Sequence, residues 1–188
     1  ITVEVPILGT AGSVATDVTM TGGSGAISVE DMGTDINDIS LTTTGTISLN
    51  GTYTTSILSS GNADVGDVTL TGPVTLAGNT TIDTDSSNGT VGFTSTVDGG
   101  NTLTISSGSG AVDFAGNIGA TTALGDVDIN SSSGTGTIDI EQIGDTDNAG
   151  GIIGTVAIGN TTTTQVEFDG TIYKFGQVTA ETDTVTIK

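Results

Sequence analysis

The chain has 188 residues, of which 22 are acidic and two are basic, so its formal net charge at pH 7 is -20. This charge repels nucleic acid and anionic membrane surfaces, and no apolar run approaches the roughly 18 residues needed for membrane insertion. Because cysteine and histidine are both absent, disulfides, thiolate or imidazole metal sites and Ser-His or Cys-His nucleophiles are excluded. Aspartate and glutamate carboxylates are therefore the remaining candidates for catalysis or metal binding.

The composition also restricts the fold. Hydrophobic residues make up 34% of the chain and aromatic residues 3%, which is too little for a thick conventional core. Thirty glycines, together with abundant Thr, Ser, Val and Ile, favour turns and strands, and no window holds apolar residues at helical spacing. We therefore predict an all-β fold with a narrow core.

Two short alternating runs recur along the chain and interleave strictly. A leading run, usually opened by glycine, is followed by a trailing run, often opened by aspartate. Alternation at period two buries one side of a strand, so the apolar residues of both runs should point inward. The leading runs are Val3/Val5, Ile27/Val29, Ile47/Leu49, Val74/Leu76, Val91/Phe93, Val112/Phe114, Ile138/Ile140 and Val166/Phe168. The trailing runs are Val18/Met20, Ile39/Leu41, Val68/Leu70, Thr80/Ile82, Leu103/Ile105, Val127/Ile129, Val156/Ile158 and Val185/Ile187.

Eight copies of each run give an average period of about 23 residues, which is typical of a β-solenoid coil. A single apolar residue between the two runs would form a third wall of each coil. The pattern predicts a parallel β-solenoid of about eight coils with three sides, in one domain over residues 1–188. The third-wall residues are Met32, Tyr53, Val97, Ile118, Ile143 and Ile172.

The spacing between coils is unequal, so the extra residues must bulge at the corners. Small residues open the leading runs there, as Gly45 and Gly110 do, which suits positive φ or close backbone approach. The longest predicted loops run from Gly51 to Gly66 and from Asp145 to Gly154. Loops on a rigid scaffold are where binding residues concentrate, so any ligand contact is expected there.

Two segments carry a resemblance to a known class of protein. They are GTVGFTSTVDGGNTLTI at 89–105 and GAVDFAGNIGATTALGDVDI at 110–129. They resemble the repeats of bacterial extracellular β-solenoid proteins, namely filamentous-haemagglutinin-type adhesins and autotransporter passenger domains. The resemblance implies a right-handed parallel β-helix, export across a bacterial envelope and an extracellular or cell-surface location. It implies no ligand, because solenoid repeats support many unrelated functions.

Aspartates recur before the trailing runs, at Asp17, Asp38, Asp67 and Asp126. Stacking of equivalent positions would place their carboxylates about 4.8 Å apart. Like charges at that spacing repel by about 1 kcal/mol in water and more where the dielectric is lower. Such a column must be solvated, partly protonated or bridged by cations.

Two acidic turns have the spacing of calcium ligands. Alternating carboxylates on a turn can surround a hard cation. Asp83 and Asp85 precede Asn88, and Asp145 and Asp147 precede Asn148; these four aspartates are the candidate calcium ligands. No glutamate closes either loop as an EF-hand requires, and Asx-rich turns also form without metal. No other cofactor is predicted.

Two further functions are disfavoured by the residues present. A flat array of threonines would suggest ice binding, but Asp128 and Ala157 interrupt the outward positions of the trailing runs. Polysaccharide cleavage of the pectate-lyase kind needs a cationic base or clamp, and the only basic residues are Lys174 and Lys188. Paired carboxylates could hydrolyse glycosides, but aromatic residues that stack on sugars are scarce. We predict no enzymatic activity and no catalytic residues.

The sequence therefore predicts a structural or adhesive solenoid module, a segment or subunit of a longer fibre or surface protein. Expected partners are flanking repeats of the same chain or other copies joined end to end, because both ends alternate as strands and show no cap. The alternative is an adhesin segment whose bulged loops bind calcium or surface glycans.

Overall fold

The computed structural model describes residues 1–10, 16–33, 35–56, 65–147 and 150–178. Within these ranges the regular elements are all β-strands, and the strands pair in parallel. They stack as a β-solenoid of about six turns. The prediction of an all-β parallel solenoid is confirmed, whereas its handedness and three-sided cross-section stay predictions.

The described residues contain eighteen strands, numbered here in chain order. The first nine are β1 (Thr2–Val3), β2 (Ile7–Leu8), β3 (Thr16–Gly23), β4 (Ile27–Val29), β5 (Met32–Gly33), β6 (Ile36–Thr43), β7 (Ile47–Thr54), β8 (Val68–Thr71) and β9 (Val74–Asp83). The other nine are β10 (Val91–Phe93), β11 (Val97–Asp98), β12 (Leu103–Ser106), β13 (Val112–Ile118), β14 (Val127–Ile129), β15 (Thr137–Ile143), β16 (Ile152–Ile158), β17 (Gln165–Phe168) and β18 (Phe175–Val178).

The strand pairings form three ladders along the stack. Ladder 1 joins β1, β4, the first halves of β7 and β9, β11 and the last residues of β13 and β15. Ladder 2 joins β2, β5, the second halves of β7 and β9, then β12, β14, β16 and β18. Ladder 3 joins β3, β6, β8, β10, the first parts of β13 and β15, and β17.

The structure corrects the predicted phase of the repeat in the second half of the chain. Val91 pairs with Val68 in ladder 3, and the residue that stacks on Val74 in ladder 1 is Val97. The leading runs from Val91/Phe93 onward therefore lie in ladder 3, as the first three trailing runs do. The trailing runs from Thr80/Ile82 onward lie in ladder 2. One coil, which contains Val74/Leu76, Thr80/Ile82 and Val91/Phe93, holds three runs and not two, and this changes the ladder of every later run. The solenoid has about six turns where eight coils were predicted. The eighth trailing run lies outside the described residues.

The predicted third-wall residues show the same change of phase. Met32 and Tyr53 lie in ladder 2, whereas Val97, Ile118 and Ile143 lie in ladder 1. All five are at most 1% exposed, so the prediction that they are buried is confirmed. The prediction that they share one wall of the solenoid is wrong, because they lie in two different ladders. Ile172 is half-buried, and the next residue, Tyr173, is the one that pairs with Ile143.

The inward side chains of the ladders form one continuous apolar core. Val112, Phe114, Val127 and Ile129 are at most 1% exposed, as their alternation predicted. Phe114 stacks on Phe93 of the preceding coil, with the ring centroids 4.5 Å apart and the planes nearly parallel. Each coil thus covers the apolar surface of its neighbour, as expected of a solenoid.

The corner before ladder 3 brings successive glycines into close backbone approach. A Cβ added at Gly110 would lie 2.1 Å from the carbonyl oxygen of Gly89, and one added at Gly136 would lie 1.8 Å from that of Gly110. Neither separation leaves room for a side chain, so this corner requires glycine in several coils. At Gly92, inside β10, an added Cβ would meet nothing within 4 Å.

We expect Gly110→Ala to destabilise the chain and Gly92→Ala to leave it as stable or more so. The first change forces backbone apart, which costs about 1–3 kcal/mol in a well-packed interior, while the second lowers the entropy of the unfolded chain. Urea unfolding of both variants measures the difference. Equal stability of the two variants would contradict the close stacking of the corner.

Candidate functional site

The aspartates that precede the alternating runs of ladder 3 act as acceptors for the backbone of the next coil; Asp17 and Asp38 lie within β3 and β6, and Asp67 comes just before β8. The Asp38 N–H lies 3.4 Å from Asp17 Oδ1, and the Asp67 N–H donates to Asp38 Oδ1 at 2.8 Å. The Thr90 N–H then donates to Asp67 Oδ1 at 2.6 Å. Three of the four predicted aspartates therefore do stack, and each carboxylate satisfies a backbone donor that the corner would otherwise leave unpaired.

Asp126 does not belong to this column. It precedes β14, which is in ladder 2, because of the change of phase described above. Its Oδ1 accepts the Thr155 N–H at 2.6 Å, and the equivalent Asn79 accepts the Thr102 N–H at 3.1 Å. Aspartate and asparagine thus accept the same kind of hydrogen bond at equivalent positions before ladder 2, so the common requirement is an acceptor oxygen and not a negative charge.

The candidate calcium turn at Asp83 and Asp85 is closed by its own hydrogen bonds. The Asp85 N–H donates to Asp83 Oδ1 at 3.1 Å, and the Thr84 hydroxyl donates to the Gly89 carbonyl at 2.7 Å. Asn88, at a φ of 56°, accepts both the N–H and the hydroxyl of Ser109 at 2.9 Å. These contacts are those of an Asx turn, which needs no metal for its shape.

The second candidate turn is described only in part. Asp145 accepts the N–H and the hydroxyl of Thr146, the latter at 3.0 Å, and Asp147 is exposed. Residues 148 and 149 lie outside the described part, as do residues 57–64 of the other predicted loop. In the described ranges, no group of three or more acidic side chains is arranged to hold a metal ion. Calcium binding at these four aspartates stays a prediction.

A stripe of carboxylates on the outward side of ladder 3 was missed by the sequence analysis. We call Asp113, Asp139, Glu141, Glu167 and Asp169 the acidic stripe. Asp113, Asp139 and Glu167 are in direct register on β13, β15 and β17. The alternation VDF, IDIE and VEFD carries the signal, but it becomes visible only when these three runs are aligned on one ladder.

The acidic stripe perturbs the titration of its central member. Burial raises the pKa of the Asp139 carboxyl above its usual value, and the charges of Asp169, Asp113, Glu167 and Glu141 raise it further. Like charges directly opposite across strands are destabilising. Unlike the corner aspartates, Asp139 thus carries its charge at a cost to the folded state.

The outward hydroxyls also divide between ladders. Thr19, Ser40 and Thr69 are in register on ladder 3, whereas Thr81 and Thr104 lie on ladder 2, where Asp128 and Ala157 follow them. The outward positions of the trailing runs therefore form two shorter files on different ladders. That the chain does not bind ice stays a prediction.

Neither a protein-family model, nor a curated protein, nor a solved structure matches the chain. In the described ranges, no helix is long and apolar enough to cross a membrane.

We expect Asp67→Ala to cost about 0.5–1.5 kcal/mol, because the Thr90 N–H loses its acceptor. Asp67→Asn keeps an acceptor oxygen and should cost clearly less. Urea unfolding with a shared slope measures both changes. An asparagine variant as unstable as the alanine variant would show that the charge of Asp67, and not its acceptor oxygen, stabilises the corner.

We expect Asp139→Asn to stabilise the chain at pH 7. Since the folded state binds the Asp139 proton more tightly than the unfolded chain does, the free energy of unfolding falls as pH rises from about 3.8 through the raised pKa. The gain should be a few tenths to about 1 kcal/mol at pH 7 and should vanish near pH 3. Thermal unfolding at both pH values measures it.

Glu4→Gln is the matched control for Asp139→Asn, because it removes one negative charge from the first coil and none from the acidic stripe. If both variants stabilise the chain equally at pH 7, the effect is one of net charge and the local explanation is wrong.

Proposed function

We propose that the chain is a non-catalytic structural module of an extracellular bacterial surface protein or filament. The proposal rests on one observation: the inward and corner side chains contact neighbouring coils. Inward residues fill the space between coils, and the corner aspartates and asparagines hydrogen-bond to the backbone of the next coil. This use of side chains supports a scaffold role.

Further polar groups inside the corners are also engaged in holding the coils together. The buried Thr55 hydroxyl lies 2.8 Å from the Ser87 hydroxyl and donates to the Gly66 carbonyl at 2.7 Å. Asn130, 2% exposed, accepts the Ser107 N–H and donates to the Ser107 hydroxyl. Buried polar groups that satisfy each other rigidify a fold and fix its register. A rigid register is what a load-carrying solenoid needs.

The resemblance of residues 89–129 to bacterial surface solenoids supports the extracellular part of the proposal. The absence of cysteine and the net charge of -20 are compatible with a chain that stays unfolded and soluble during export. An adhesive role would then come from the position of the module in a longer assembly.

The experiment that tests the structural function is a search for a specific ligand. A calcium concentration 100 times the dissociation constant of a site would stabilise the chain by about 2.7 kcal/mol. We expect calcium to act only by screening the net charge. It should therefore change the melting temperature equally in the native chain and in two double variants, Asp83→Asn/Asp85→Asn and Asp145→Asn/Asp147→Asn. We expect a glycan array to show no binding.

Saturable calcium binding that is lost in either double variant would overturn the structural proposal in favour of the calcium-binding adhesin. Binding to a defined class of glycan would favour the carbohydrate-binding alternative. A matched magnesium titration separates screening from a site, because a calcium loop discriminates by size and ligand number.

A further inference from the structure

Three successive coils close the corner before ladder 3 with the same side-chain hydrogen bond. In each coil, the hydroxyl of the residue that follows the ladder 2 strand donates to the carbonyl oxygen of a glycine that precedes the ladder 3 strand. We call such a hydroxyl residue and its glycine a closing pair. The closing pairs are Thr55 with Gly66, Thr84 with Gly89, and Ser107 with Gly110, each at 2.7 Å. The three hydroxyl residues are 0% exposed, so these hydrogen bonds lie inside the stack.

The chain between the two members of a closing pair differs greatly in length. Ten residues separate Thr55 from Gly66, whereas four separate Thr84 from Gly89 and two separate Ser107 from Gly110. The strands that follow are nevertheless in direct register, with β10 paired to β8 on one side and to β13 on the other. The closing bond and the register of ladder 3 are therefore independent of the length between the pair.

The glycine of a closing pair also fixes the position of the next coil. A Cβ added at Gly89 would lie 1.9 Å from the carbonyl oxygen of Gly66, so the backbones of neighbouring closing pairs are in close approach. The residues between the members include exposed ones, namely Asp85, Ser86 and Ser109. The closing pairs thus belong to the stack, while the segment between them reaches its surface.

Backbone hydrogen bonds add to the closing pair only where the segment is short. The Gly110 N–H donates to the Ser107 carbonyl at 2.8 Å, and the Gly89 N–H lies 3.4 Å from the Thr84 carbonyl oxygen. In the described part of the chain, no backbone hydrogen bond joins Thr55 to Gly66. The hydroxyl is therefore the bond that remains across the base when the segment is long.

We propose that the corner before ladder 3 is the loop-display position of this solenoid. The closing pair holds the coil in register, so the segment inside it can change in length and sequence without rebuilding the stack. The proposal rests on the structural function above and identifies where such a scaffold carries contacts with its surroundings. Long insertions in surface loops cost little when the ends of the loop are already held together, and loops on a rigid scaffold are where recognition residues concentrate.

The test inserts six histidines between Asp85 and Ser86, which are both exposed. The segment inside the second closing pair then has ten residues, as the first has. Because the native chain contains no histidine, retention on a nickel resin without denaturant reports the insert alone. Circular dichroism checks folding, and urea unfolding measures the folding equilibrium constant.

The role of the closing pair is tested at Thr84, in the native chain and in the inserted chain. Thr84→Val removes the hydroxyl and leaves the Gly89 carbonyl without its donor. Thr84→Ser keeps the hydroxyl and is the matched control. It should lower the folding equilibrium constant about fourfold in either chain, as for one buried methyl group.

We expect the insertion to lower the folding equilibrium constant about fourfold, which is the closure entropy of the longer loop. The folded inserted chain should be retained by nickel. Thr84→Val should cost about fivefold more in the inserted chain than in the native chain, because the hydroxyl is then the main bond across the base of the loop.

An inserted chain that does not fold, that loses more than about ten times the expected fourfold, or that folds without binding nickel would overturn the proposal. A Thr84→Val variant that costs the same in both chains would also overturn it. These results leave the structural function standing, since that is decided by the calcium and glycan measurements. Conversely, specific glycan binding in a chain that accepts the insert would overturn the proposed function alone.

Discussion

Parallel backbone ladders hold neighbouring coils about 4.8 Å apart, and this spacing places each residue directly beside its equivalent in the next coil. For apolar residues the constraint is favourable, because like shapes stack, as Phe93 does on Phe114. For glycine at the corners it is strict, because the backbone of one coil lies against that of the next. For carboxylates it is unfavourable, since the same register brings like charges together.

Stacked carboxylates occur in two different environments in this molecule. At the corners, Asp38 and Asp67 each accept a backbone N–H from the following coil, so a charge-assisted hydrogen bond offsets the repulsion. On the acidic stripe no such donor faces Asp139 among the contacts described, and burial with neighbouring carboxylates raises its pKa. The described carboxylates therefore include some that hold coils together and at least one, Asp139, whose charge opposes the fold. That charge connects stability to pH.

The proposed function follows from one property of the stack. Each interior coil is covered by its neighbours on both axial surfaces. The interior coils use their inward and corner side chains for that purpose, which supports a scaffold and leaves the outward faces for contacts with the surroundings. In such a solenoid, length is obtained by adding coils and not by changing them.

Period-two alternation, its repeat along the chain and the spacing of glycine are visible in the residues alone, and they predicted the all-β class, the parallel solenoid, the inward residues and the glycine corners. They could not predict the phase of the coils. Gly45 opens a strand of ladder 1 and Gly110 opens one of ladder 3, yet both precede the same alternating pattern. Only the closure of each coil on its neighbour decides which ladder a strand joins, because that depends on the length of every corner between them. The register of the acidic stripe and the separate position of Asp126 depend on that phase, so they become visible only in the folded chain.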